Sequence, residues 1–108
     1  MSAGSRIAER YRQWDPNRLQ DLREETRNPR VLAAIDIVVA ERKAAHQEAF
    51  DATQIVLDAT GGHSALDLHA TAIDRSIRHW DAGRWLEAER AMGVADALWD
   101  YLRERSDT

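Results

Sequence analysis

Five carboxylates are the residues of this sequence best spaced for chemistry. Asp21, Glu24 and Glu25 lie in one stretch, and Glu48 and Asp51 in another. Side chains three apart project from one face of a helix, so Asp21 with Glu24 and Glu48 with Asp51 make two oxygen-ligand pairs. Two such pairs on neighbouring helices can share a magnesium ion, with Glu24, Glu48 and Asp51 as the candidate metal ligands. The four histidines offer less. His46, His63, His69 and His79 show neither His-x-x-x-His spacing nor the Glu-x-x-His pairs of di-iron bundles. His46 lies on an apolar edge between Val39 and Phe50 and reads as a buried or interface residue. There is no cysteine, which excludes disulfides, thiolate metal sites and thiol nucleophiles. Ser5, Ser64, Ser76 and Ser106 read as tail, cap or helix-surface residues, leaving no evident nucleophile.

Helices must position these groups, and glycine and proline mark where the helices begin and end. Asp15-Pro16 and Asn28-Pro29 each pair a capping side chain with a residue suited to the first helical position. Gly61-Gly62 supplies a left-handed stop, and Ser64 with Asp67 predicts a capping box after it. The apolar spacing then predicts five helices. Residues 5–14 carry Ile7, Tyr11 and Trp14 at spacings of four and three, and 16–27 carry Leu19 and Leu22 inward. Residues 30–60 form one unbroken helix. Residues 65–82 gather Leu66, Ala70, Ile73, Ile77 and Trp80 on one face. Residues 84–104 close the chain with Ala88, Met92, Ala95, Leu98, Trp99 and Leu102. No segment alternates as a strand would, so the fold class is all-α, a single domain over residues 1–108.

Two stretches resemble known families. Glu48-Ala49-Phe50-Asp51 and the residues up to Gly61 look like the second metal motif of the MazG-like nucleoside-triphosphate pyrophosphohydrolases, all-α enzymes that bind magnesium. The first motif departs, because Asp21-Leu22-Arg23-Glu24 begins with Asp where that family has Glu. The resemblance implies a magnesium-dependent hydrolase using Glu24, Glu48 and Asp51. Separately, Trp80, Gly83, Trp85 and Ala88 resemble the hairpin turn of tetratricopeptide repeats, without a second copy at the period an array needs. Read physically, Gly83 turns the chain while Trp80 and Trp85 clamp the turn.

The long helix favours a different role. Thirty-one residues extend about 46 Å, beyond the diameter of a compact globule of this length, roughly 30 Å. Val31, Ile35, Val38, Ala45, Ala49, Ala52, Val56 and Ala59 recur at heptad spacing, with Leu32, Val39, Phe50 and Leu57 as a second apolar edge. A helix apolar on two sides needs neighbours on both. One end must then project unless the helix kinks or another chain covers it. The chain's other four helices could supply the cover, or a twofold homodimer through Ile35, Val38, Ala45, Ala49, Ala52 and Val56 could. Glu48 and Asp51 fall away from that seam. At the other end of the chain, Trp99, Tyr101 and Arg103 are favoured interface types and make a candidate partner-binding edge.

Composition narrows the field further. Fifteen basic against 19 acidic residues give a net charge of -4, which argues against broad binding to nucleic acid or anionic membranes. Residues 1–30 are the exception, with seven arginines against five acids. Arginine supplies all bases but Lys43, as in a GC-rich bacterial source. No apolar run is long enough to span a bilayer, and the N-terminus lacks the apolar core of a secretion signal, so the cytoplasm is the expected location. The sequence therefore points first to a non-catalytic helical interaction or regulatory module, homodimeric, needing no cofactor. The alternative is the magnesium-dependent hydrolase.

Overall fold

The computed structural model describes residues 3–106, which form five α-helices and no strand. They are α1 (Ala3–Tyr11), α2 (Pro16–Glu25), α3 (Pro29–Thr60), α4 (Ala65–Asp81) and α5 (Trp85–Ser106). Both proline-led starts behave as their chemistry dictates. The Asp15 carboxylate accepts from the Arg18 amide at 2.8 Å, and the Asn28 side-chain oxygen accepts from the Arg30 amide at 3.0 Å. Gly61 closes α3 in the left-handed region at φ 69°. The expected Ser64 cap does not form. Ser64 itself takes a left-handed conformation, φ 61°, and makes no side-chain capping bond. The turn is compressed by Tyr101, whose hydroxyl donates to the Gly61 carbonyl at 2.7 Å and whose ring leaves no room for a β-carbon at Gly62.

The long helix does not end as a bare projection. The molecule stretches along it, 50 Å by 25 by 24 Å, and each half of α3 is covered by different helices. Over the first half, α1 and α2 bury Ala34, Ile35 and Val38 with Ala8, Tyr11 and Leu19. Over the second half α5 packs on α3 and carries α4 on its other side, and Leu57, Ala65, Ala72, Ala95 and Leu98 make a second core. The helices α3 and α4 scarcely touch each other. Gly93 marks the closest approach of α5 to α3, because a β-carbon there would lie 2.2 Å from the His46 carbonyl oxygen.

A polar layer joins the two halves. Arg42, which interrupts the heptads of α3, is buried and donates to the Trp14 carbonyl at 2.5 Å and the Arg12 carbonyl at 3.3 Å. Its burial lowers the guanidinium pKa, and the charges of Glu89, Asp15 and Glu41 act against that loss. Arg12 grips Glu41 with two bonds of 2.8 and 3.1 Å. From α5, the Trp85 indole donates to the Gln13 carbonyl at 3.0 Å. Its ring also meets Trp80 edge-on, with centroids 5.1 Å apart, clamping the α4–α5 turn at Gly83 as the sequence predicts. His46 sets its two ring nitrogens against Glu89 at 3.2 Å and Asp96 at 2.8 Å, both on α5.

Candidate interaction surface

The orientation of α4 leaves its large apolar residues on the outside. Its heptad-spaced row of Leu66, Ala70, Ile73, Ile77 and Trp80 does not point inward. The buried residues are Ala65, Ala72 and Ser76, whose small side chains let α4 lie close against α5. One hundred degrees per residue places the large apolar row on the flank beside them. There Leu66, Ile73, Ile77 and Trp80 are between 40 and 70 % exposed. From Leu66 to Trp80 the row covers 15 residues, about 21 Å along the helix axis. Single exposed apolar residues are ordinary, but a continuous row is the usual mark of a binding surface.

Neighbouring residues extend and edge this surface. Trp99 of α5 is also exposed, and its ring lies 5.7 Å from that of His69. His69 is three residues after Leu66 and four before Ile73, so Trp99 lies beside the row. Along the other border run Asp67, Asp74 and Asp81, seven residues apart. Asp74 is paired within α4 to Arg78 at 3.0 Å. The surface is thus an apolar strip with an acidic edge on one side and an aromatic, histidine-bearing edge on the other. Compared with known proteins, the chain matches no family model, no curated protein and no solved structure. The arrangement of its own residues is what bears on function.

The candidate metal ligands are not brought together. Arg23 of α2 pairs with Asp36 of α3, which sets the neighbouring Glu24 beside the first turns of α3. Glu48 lies twelve residues beyond Asp36, on the order of 18 Å along the axis. All three carboxylates are exposed, and two are engaged locally, Glu24 with Gln20 at 3.1 Å and Asp51 with Gln47 at 2.8 Å. Among the described residues no three metal-ligating side chains converge.

The other candidate sites divide as well. Of the six residues expected to face a second copy, Ile35, Val38 and Ala45 are covered by the chain's own helices. Ala49, Ala52 and Val56 line an open groove between α3 and α4. The edge of Trp99, Tyr101 and Arg103 also separates. Tyr101 holds the Gly61 turn, while Trp99 and Arg103, four residues apart on α5, are both exposed, Arg103 pairing with Asp100 at 3.2 Å. No helix among the described residues is long and apolar enough to cross a membrane. The sequence spacing groups the residues of the outer row on one face but does not say what that face meets. The missing signal was the Ala65, Ala72 and Ser76 set, seven and four apart, which offers a close-packing face on the same helix.

Proposed function

We propose that this chain is a non-catalytic helical interaction module that pairs with a second copy of itself through the outward row of α4. The observation that carries the reading is the alignment of Leu66, Ala70, Ile73, Ile77 and Trp80 on one exposed flank. Their alternating spacings of four and three are those of a coiled-coil seam. A seam of this kind is self-complementary about a twofold axis, the commonest symmetry of soluble oligomers.

The borders favour parallel pairing. With Leu66, Ile73 and Trp80 at the d positions, Asp67, Asp74 and Asp81 occupy e and His69 occupies g, while Ser76 at the next g is buried against α5. In a parallel pair e faces g of the other helix, so Asp74 of one copy meets His69 of the other, and Trp99 beside His69 is covered. Antiparallel pairing would set Asp74 against Asp74, a like-charge contact that opposes association. The absence of cysteine makes a direct test available. In the Ala70→Cys variant, parallel pairing brings the two introduced thiols to the axis, and mild oxidation yields a covalent dimer. An Asp58→Cys control on α3 remains monomeric. A cross-link in the control alone, or in neither variant, would refute the pairing.

A further inference from the structure

The groove on the other flank of α4 has a different chemistry. It encloses about 670 Å³, within the range of small-molecule sites. It exists because α3 and α4 both pack on α5 and scarcely touch each other. Ala52 and Val56 form one wall, Leu68 and Ala72 the other, and Val94 and Leu98 the floor. The buried line of Ala65, Ala72 and Ser76 separates this flank from the outward row, so the two surfaces are independent.

Charge is confined to one end. The His69–Trp99 contact fixes the antiparallel register of α4 on α5, which sets Arg75 and His79 opposite the early turns of α5. Glu87 and Arg90 lie in those turns and line the same groove. His79 is occupied, its Nδ1 accepting from the Arg84 Nε at 2.9 Å. Arg75, Arg90 and Glu87 make no hydrogen bond or ion pair among the described residues. Two guanidinium groups against one carboxylate leave an excess of one positive charge. From Leu68 to Arg75 the groove follows α4 for seven residues, about 10 Å, the reach of a medium-length alkyl chain.

We infer that the groove binds a single-chain amphiphile with an anionic head, a fatty-acid carboxylate, its chain between α3 and α4 and its head at Arg75 and Arg90. Apolar burial would supply the affinity and the arginines the orientation, since a guanidinium fork matches a carboxylate. The test is calorimetric titration of the full chain with dodecanoate, dodecanol and dodecyltrimethylammonium, each below its micelle concentration. Dodecanoate should bind most tightly and the ammonium amphiphile least. Arg75→Gln with Arg90→Gln should weaken dodecanoate about tenfold, the worth of one charged hydrogen bond, and leave dodecanol unchanged. Ala52→Trp, at an exposed position on the wall, should block all three while circular dichroism shows the helices intact. The inference fails if dodecanoate does not bind, if the ammonium amphiphile binds equally well, or if Ala52→Trp binds unchanged. It also fails if the groove proves to be filled by a second copy, seen as a dimer that Ala52→Trp dissociates. Association through Ile77 is read separately by sedimentation, so failure of one reading leaves the other standing.

Discussion

A methyl group at Gly93 would collide with the backbone carbonyl of His46, and that clash reverses an ordinary expectation. In an exposed helix interior, Gly→Ala stabilises by about 1 kcal/mol. Here the β-carbon forces α5 away from α3, and overpacking of this kind costs about 1–3 kcal/mol. Gly93→Ala should therefore lower the melting temperature, and a rise would show that the two helices do not cross this closely. Arg42 makes a complementary case at the same scale. Its buried guanidinium satisfies two backbone carbonyls in the α1–α2 turn and faces Glu89. Arg42→Met keeps the apolar stem but strands those acceptors, with an expected loss on the order of 3 kcal/mol. Denaturant unfolding checks this, and a loss below about 1 kcal/mol would show that water replaces the guanidinium without difficulty.

Among the elements, the docking of α1 on α3 should depend on pH through Glu41. The two hydrogen bonds from Arg12 are the main reason the Glu41 carboxyl lies below the usual glutamate range; burial opposes them, and the charges of Arg12 and Arg42 add to them. A carboxyl whose pKa is lowered on folding contributes its stability fully above the unfolded value. That contribution is lost as pH falls through the lowered folded value. Both side chains are about one-third exposed, so solvent screens the pair and the effect is modest. Melting curves of the native chain and Glu41→Gln should differ at neutral pH and converge in acid. A gap that stays constant across that range would contradict the account.

The helices themselves were largely legible in the sequence. Proline after a capping residue, and glycine at the stops, place the ends of α2 and α3 within a residue or two, because those signals act locally on the backbone. What periodicity cannot convey is which neighbour an apolar face meets. In α4 the face of large residues and the face of small ones lie side by side, and close packing on α5 took the small one. For α3 the heptads show where cover is needed, while tertiary contacts decide that α1 and α2 supply it at Ile35 and Val38. The carboxylate pairs misled for a related reason. Spacing puts Glu48 and Asp51 on one face, but convergence with Glu24 depends on how far α2 runs along α3, and the sequence does not state that register.

At the scale of the whole molecule, shape and surface point the same way. A radius of gyration of 16.6 Å exceeds the roughly 13 Å expected of a compact domain of this length. An elongated body with one core at each end has more surface per residue to cover, and α4 leaves part of it apolar. Pairing through that row would bury Leu66, Ile73, Ile77, Trp80 and Trp99 together. A few residues at the centre of an interface, most often Trp, Tyr or Arg, carry most of its energy, commonly about 2 kcal/mol or more each. Ile77→Glu would put a charge at the centre of the seam, at a position that is 54 % exposed in the single chain. The most direct measurement is sedimentation equilibrium of the full chain and of Ile77→Glu, with melting temperature recorded for both. The account predicts a dimer for the native chain at micromolar concentration and a monomer for the variant, with melting of the monomeric fold unchanged. A native chain that stays monomeric at far higher concentration, or a dimer indifferent to the charge at 77, would contradict it.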